Sequence, residues 1–148
     1  MAKTTAKNRI IGDMPHSLEA EQALLGCLLL DTRIQLEIGA LLKEEDFFAE
    51  SHKHIFHAML EIIGANQPVD MVTLSDVLEK SGTLTQAGGI EYIAQLTNVI
   101  PSSANYHRYL DIVTRDSLLR KLILGSASII SECTSSMDKN TALAYAEK

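Results

Sequence analysis

Apolar residues recur every three or four positions through most of this 148-residue chain, which is the spacing of amphipathic α-helices. The longest such run extends from Asn105 to Cys133. It contains no proline, and no glycine before Gly125, so nothing in it demands a break. A single helix over this run would be ~40 Å long, which exceeds the width of a small domain. The pattern therefore predicts a mostly helical chain with one unusually long helix near its end.

The apolar side of this long helix changes halfway along its length. In the second half, the large aliphatic side chains lie on a side that is rotated by roughly a third of a turn from that of the first half. We call this second set the aliphatic face, and it consists of Leu118, Leu119, Leu122, Ile123, Ile129 and Ile130. The change predicts that the first half packs on its own domain, whereas the second half projects and associates with another copy. The alternative is that one helical core buries both sides.

The segment after the long helix is short and polar, and a further helical pattern starts near Ala142. A short connection favours an antiparallel helical hairpin. Because the chain stops within that second helix, we expect it to be part of a longer protein. The predicted organisation is all-α with three parts: a flexible basic arm at 1–13, a globular helical bundle at 14–101, and a protruding hairpin at 102–148 that leads into a linker.

Capping signals predict where the helices of the bundle start. Ser17 precedes the first apolar run and is predicted to be its N-cap, with Glu21 placed near the positive end of that helix. Ser51 is predicted to cap the helix that follows it. Thr73 and Asp76 have the spacing of a capping box, so they are predicted to start a third helix.

The charge distribution disfavours nucleic acid as a direct partner. Of the 13 basic residues, three precede Ile10, so the rest of the chain has 10 basic against 19 acidic residues and a net charge of −9. Tight DNA binding takes most of its affinity from neutralised phosphates. In addition, no Lys or Arg occurs from Ser81 to His107, where a DNA-recognition helix would need donors. We therefore expect no tight DNA binding.

The sequence contains no recognised motif for catalysis, cofactor binding or metal binding. A phosphate-binding P-loop requires a glycine followed by lysine, and no glycine in this chain is followed by lysine. His54, His57 and Glu61 could share one side of a helix, but no Cys or Asp cluster lies nearby to complete a metal site. We therefore predict no catalytic, cofactor-binding or metal-binding residue in this chain.

Cysteine usage and hydropathy bear on where the protein resides. Cys27 and Cys133 lack the paired spacing of redox or zinc motifs, which is typical of inert thiols in a reducing compartment. The longest apolar run, Ala23 to Leu30, is far too short to cross a membrane. Residues 1–12 also lack the apolar segment of a secretory signal. We expect a cytoplasmic location and no membrane partner.

A series of short motifs, taken together, resembles the amino-terminal domain of the DnaB family of bacterial replicative DNA helicases. Their order and spacing are family-like from about Met14 to the end of the chain, and the combination is far more specific than any single motif. The motifs are Pro15–Gly26, Leu29–Asp31, Asp46–Phe48, His54–Phe56, Pro68–Leu74, Gly88–Gly89 with Tyr92, Pro101–Ser102 with Asn105, and Ile112–Val113 before Arg115.

This resemblance implies a non-catalytic collar domain. In the family, helical hairpins pair between subunits and build a trimer-of-dimers collar on a hexameric ring. The collar recruits primase through the carboxy-terminal domain of primase. A separate RecA-like domain uses ATP and magnesium to unwind DNA in the 5′–3′ direction. The implied partners of this chain are therefore a second copy of itself and primase, while ATP and magnesium belong to the parent helicase.

If subunit pairing occupies the aliphatic face, primase would contact polar residues at its rim. The residues predicted for this contact are Arg115, Arg120, Lys121 and Glu132. Charges at a rim influence the association rate more than they influence folding. Two other interpretations are the helicase-binding carboxy-terminal domain of primase, which shares this fold in the family, and a helical DNA-binding regulator, which the charge disfavours.

Overall fold

The computed structural model describes residues 14–135 and 139–147, and every regular element in these two ranges is helical. The predicted all-α class is therefore confirmed. The predicted arm at 1–13 and part of the predicted hairpin connection, residues 136–138, lie outside the described residues. The helices are α1 (Leu18–Leu30), α2 (Gln35–Leu41), α3 (Glu50–Gly64), α4 (Met71–Lys80), α5 (Gly89–Leu96), α6 (Tyr106–Thr134) and α7 (Lys139–Ala146), with 3-10 turns at Thr32–Ile34 and Glu44–Asp46.

The described residues divide into two compact units. One unit, His16–Ser117, contains α1 to α5 and the first part of α6. The other contains the described residues from Leu118 onward, together with the two that precede His16. The unit His16–Ser117 extends past residue 101, while the predicted division into arm, bundle and hairpin stays a prediction. The physical reason is that Leu110 and Val113, on the first part of α6, are buried in the core of the unit His16–Ser117.

A buried apolar core holds the unit His16–Ser117 together. Helix α1 is buried on most of its circumference, because its residues from Ala23 to Leu28 are all inaccessible. Helix α3 packs against α1, α2 and α4, and α5 packs against α1 and α4. Each large aliphatic side chain that is fully buried contributes about 1.5–3 kcal/mol. The largest fully buried side chains are Leu24, Leu25, Leu28, Ile38, Phe47, Ile55, Phe56, Met59, Leu74, Leu78, Ile93 and Leu96.

The contact between α1 and α5 depends on a glycine. A Cβ atom at Gly26 would lie 2.6 Å from the carbonyl oxygen of Leu96 and 3.5 Å from Cγ1 of Ile100. Any side chain at this position would push the backbone at the end of α5 away, because close-packed interiors cannot absorb such an overlap. Gly26 therefore sets how closely the two helices approach.

The observed helix starts confirm one capping prediction and correct another. Ser17 is the N-cap of α1, and its Oγ accepts a hydrogen bond from the amide of Ala20 at 3.2 Å. Ser51 does not cap α3, because that helix already begins at Glu50 and its N-cap is Ala49. Sequence reasoning placed this start too late because Ala49 offers no capping side chain to recognise.

The predicted capping box of Thr73 with Asp76 is also wrong. Helix α4 begins at Met71, and Asp70 is its N-cap. The amide of Thr73 donates to Oδ1 of Asp70 at 2.8 Å, and the amide of Asp70 donates to Oγ1 of Thr73 at 3.0 Å. Thr73 thus belongs to the capping box, but as its third helical residue (N3) and not as its N-cap. Asp76 instead lies within α4, where its Oδ2 is 2.9 Å from Nζ of Lys80.

Candidate interaction surface

The aliphatic face lies in the unit that starts at Leu118, on the second part of α6. At 3.6 residues per turn, its six members fall within an arc of roughly 140° around the helix. Four of them are exposed, with Leu122 at 57% and Ile130 at 64% of full accessibility, while Ile123 and Ile129 are half-buried. None of the six residues of this face is fully buried. The structure therefore presents the face as a continuous apolar stripe.

An exposed stripe of this kind is typical of a protein–protein contact. Contiguous apolar surface on a soluble protein commonly marks a binding site. Full burial of six large aliphatic side chains would contribute roughly 9–18 kcal/mol. The loss of translational and rotational freedom on association costs an estimated 4–15 kcal/mol. These two ranges overlap, so the stripe favours an association that depends on protein concentration.

One further aliphatic residue on this part of α6 was not among the predicted contacts. Leu124 is 53% exposed but projects from the opposite side of the helix, outside the arc of the aliphatic face. The sequence pattern gave no reason to include Leu124 in the aliphatic face, because its position does not follow the periodicity of the other six residues. The second part of α6 therefore has apolar atoms on both sides, and only one side forms a stripe.

The four predicted primase-contact residues are not equally accessible. Arg115 is exposed, and its Nε lies 3.1 Å from Oδ1 of the buried Asp116. Lys121 is exposed, and Glu132 is half-buried. Arg120 is only 8% exposed, and its Nη1 donates to the carbonyl oxygen of Pro15 at 2.8 Å. Arg120 is therefore buried rather than exposed, because its guanidinium donates to a backbone carbonyl within the fold, and its contact with primase stays a prediction.

Polar residues replace apolar ones on the buried side of α6 just before Leu118. Ser117 is buried, and its Oγ donates to Oδ1 of Asp46 at 2.6 Å. The other carboxylate oxygen of Asp46 accepts from the amide of Lys43 at 2.8 Å. Asp46 thus joins α6 to the 3-10 turn before α3. A signal for this contact exists in the sequence, since the apolar pattern of the first part of α6 lapses at these small and charged residues.

A second polar site lies inside the unit His16–Ser117, where the first turns of three helices meet. Glu21 of α1 is 2% exposed, and its Oε1 is 2.7 Å from Nδ1 of His52 on α3. Its Oε2 accepts from the amide of Phe48 at 2.8 Å. The Nε2 atom of His52 lies 2.5 Å from the hydroxyl of Tyr92 on α5, which also accepts from Nε2 of Gln22 at 3.1 Å. We call Glu21, Gln22, His52 and Tyr92 the polar hub.

The surroundings of the polar hub stabilise its negative charge. The amino-terminal end of a helix carries partial positive charge. Glu21 lies in the first turn of α1, and its carboxylate also accepts from the amides of Phe48 and Ala49, which directly precede α3. Burial raises the pKa of the Tyr92 hydroxyl above the ordinary tyrosine value, so this group keeps its proton. The ring of Tyr92 fits because its neighbour is Gly88, at which a Cβ would lie 2.8 Å from Cβ of Tyr92.

The polar hub explains several motifs that carried the family resemblance. Glu21 and Gln22 lie in the first motif, Phe48 in a second, and Gly88 and Tyr92 in a third. The sequence placed Glu21 only at the positive end of a helix and did not predict its contact with His52. A charged residue inside the otherwise apolar stretch of α1 was the available signal. The sequence alone could not identify His52 as the partner of Glu21, because the two residues are 31 positions apart in the chain.

His57, which was considered as a metal ligand, lies between two carboxylates in the structure. Nδ1 of His57 is 2.8 Å from Oε2 of Glu44, and its Nε2 is 3.4 Å from Oε1 of Glu61. Within residues 14–135 and 139–147, no group of three or more His, Cys, Asp or Glu side chains has the arrangement of a metal site. No helix in the described part of the chain is both long and apolar enough to cross a membrane.

Sequence comparison finds similarity to a family of helicase N-terminal domains. The sequence model of the "DnaB-like helicase N terminal domain" family matches residues 13–115. Replicative DNA helicase DnaB of Geobacillus stearothermophilus is 40% identical over 118 residues, which are 80% of this chain and 26% of the relative. The corresponding protein of Buchnera aphidicola subsp. Baizongia pistaciae is 42% identical over the same shares. The chain therefore spans about a quarter of the length of these relatives.

Two solved structures share the fold. The N-terminal domain of DnaB helicase from Mycobacterium tuberculosis aligns with a TM-score of 0.83 and 28% identity, over 90% of this chain and 94% of that one. A DnaB-like replicative helicase, described together with its interactions with primase, aligns with a TM-score of 0.72 and 25% identity, over 81% of this chain and 28% of that one. In the first case, the similarity thus extends over nearly the whole of the solved amino-terminal domain.

Proposed function

The chain belongs to the DnaB-like helicase N-terminal domain family, and from this premise we propose that it joins helicase subunits and recruits primase. Such a domain is a non-catalytic region of a replicative helicase. In the proposal, the parent protein is a cytoplasmic, hexameric, ATP- and magnesium-dependent 5′–3′ DNA helicase. The interpretation as the carboxy-terminal domain of primase is wrong, because the matched relatives are helicases.

The aliphatic face is the observation that carries the proposal. It gives one continuous apolar stripe whose burial is of the right size for reversible association. We expect the chain to form a dimer or a trimer of dimers that dissociates on dilution. In the parent protein, the same contact would contribute to a hexamer.

Sedimentation velocity over a range of protein concentrations tests this contact. In the double variant Leu122→Asp/Ile130→Asp, two desolvated charges would oppose burial, so we expect a monomer at every concentration. The matched control is Leu36→Asp/Val72→Asp, which changes two exposed aliphatic residues, at 70% and 76% accessibility, outside the aliphatic face. The control should associate like the unchanged chain. Persistent assembly of the first variant, with helicity intact by circular dichroism, would show that the face is not the contact.

A further inference from the structure

One side of α6 is buried as far as Arg120 and open beyond it. On this side Val113 and Arg120 are buried, whereas Leu124, which lies one turn after Arg120, is 53% exposed. The next residues on the same side, Ala127 and Ser131, are small, uncharged and exposed. This side therefore presents one large apolar side chain, with room above its small neighbours for another segment to pack beside it.

The segment that precedes α1 is fixed to this same side of the helix. Nη1 of Arg120 donates to the carbonyl oxygen of Pro15 at 2.8 Å, and Met14 is only 6% exposed. Arg120 and Leu124 are separated by about 40° around the helix and by ~6 Å along its axis. The chain that precedes Met14 therefore starts within one helical turn of Leu124.

The residues just before Met14 include an apolar pair, Ile10 and Ile11, and no other two consecutive large aliphatic residues precede Met14. Ile10 is five peptide units from Pro15, an extended reach of ~17 Å, which exceeds the ~6 Å rise to Leu124. Gly12 gives the backbone between them the freedom to turn. Residues 1–9 have three basic and no acidic side chains, whereas the rest of the chain has a net charge of −9. This complementarity favours an arm that lies on its own chain.

We propose that residues 10–13 fold back along α6 and pack Ile10 and Ile11 against Leu124. A segment of the same chain, and not a partner protein, then covers this exposed leucine. The bond between Arg120 and Pro15 directs the segment, because it holds the chain on the side of α6 that carries Leu124. The aliphatic face lies on the other side of α6 and stays free for a second copy, so this inference does not depend on the proposed function.

The rate at which trypsin cleaves after Arg9 tests this packing. The rate is measured by mass spectrometry on the full chain, diluted until it is monomeric, and it follows the population in which the segment is detached. We expect Leu124→Asp to speed this cleavage by about tenfold, because a charge there opposes burial of the isoleucines. The matched control Leu122→Asp changes a similarly exposed leucine, at 57%, on the aliphatic face and should leave the rate unchanged. Equal rates in the parent and Leu124→Asp, or equal acceleration by the control, would overturn the proposal.

A second measurement needs no substitution, so it is decisive even where a variant fails to fold. In the full chain with ¹³C-labelled isoleucine and leucine methyl groups, nuclear Overhauser effects should connect Leu124 to Ile10 or Ile11 and should not connect Leu122 to either. A folded chain without a contact between Leu124 and this pair contradicts the proposal. A contact that occurs only between differently labelled copies in a mixed sample also contradicts it, because the segment then packs on a second copy.

Discussion

Asp31 shows how much local structure a single side chain can determine. It lies between α1 and the first 3-10 turn, and it accepts from Nε and Nη2 of Arg33, each at 3.0 Å. The hydroxyl of Ser103 donates to the same carboxylate at 2.8 Å. These hydrogen bonds, those from Arg33 first, hold the pKa of Asp31 well below its usual range. Asp31 thereby ties the end of α1 to the segment that precedes α6.

Replacing Asp31 with Asn should therefore destabilise the protein at neutral pH. Because the pKa of Asp31 is lower in the folded state than in the unfolded state, the carboxylate contributes stability above its unfolded pKa, and this contribution is lost as the pH falls. The difference in unfolding free energy between the parent and Asp31→Asn should be largest near pH 7 and shrink below about pH 4. Urea unfolding at several pH values measures it. The exposed Asp111→Asn serves as the control, and a difference independent of pH would contradict the prediction.

At the scale of the element, α4 shows how a cap is identified. Asp70 and Thr73 satisfy each other's amides, so Asp70→Ala removes an N-cap and leaves an amide of the first turn unpaired. We expect a loss of about 1 kcal/mol in the free energy of unfolding. Asp76→Ala is the matched control, because it removes only the exposed pair with Lys80 and should cost a few tenths of a kcal/mol. Equal losses in the two variants would rule out the assigned box.

Helix α6 shows how one element can serve two environments. Its first part buries Leu110 and Val113, and the side that would continue this stripe carries Asp116 and Ser117. Polar side chains can be buried there only because they find partners, as Ser117 does with Asp46. The aliphatic residues that follow occupy a different side. The rotation of the apolar pattern thus marks the last residues of α6 that contribute to the core of the unit His16–Ser117.

At the scale of the whole molecule, charge should govern how fast primase associates. We expect the cognate primase carboxy-terminal domain to bind, and Arg115→Glu/Lys121→Glu to slow association and to change its salt dependence, because both residues are exposed beside the aliphatic face. Biolayer interferometry at two salt concentrations measures the effect. The control Lys53→Glu/Lys80→Glu makes the same charge change on α3 and α4. Absence of binding at tens of micromolar by an assembled sample would remove the proposed role, whereas binding insensitive to the first variant would relocate the contact.

Much of the architecture followed from the sequence alone, because helix periodicity and caps are local properties. The all-α class, the Ser17 cap and the start of α6 near Asn105 agree with the structure. The family was recognisable because its motifs occur in order along the chain. The exposed aliphatic face was also readable, since a change in periodicity within one helix requires no knowledge of distant residues.

Only the tertiary structure decided which distant side chains meet. The contact of Glu21 with His52 and Tyr92, the bond of Ser117 to Asp46, and the burial of Arg120 all join residues far apart in the chain. A polar residue within an apolar pattern can signal that it is buried, but the sequence does not identify its partner, because water and many protein groups satisfy the same hydrogen bonds. Helix packing settles that choice by excluding water. For the same reason, the periodicity of α6 revealed its apolar stripe, while the fold determined which of the neighbouring charges remain accessible.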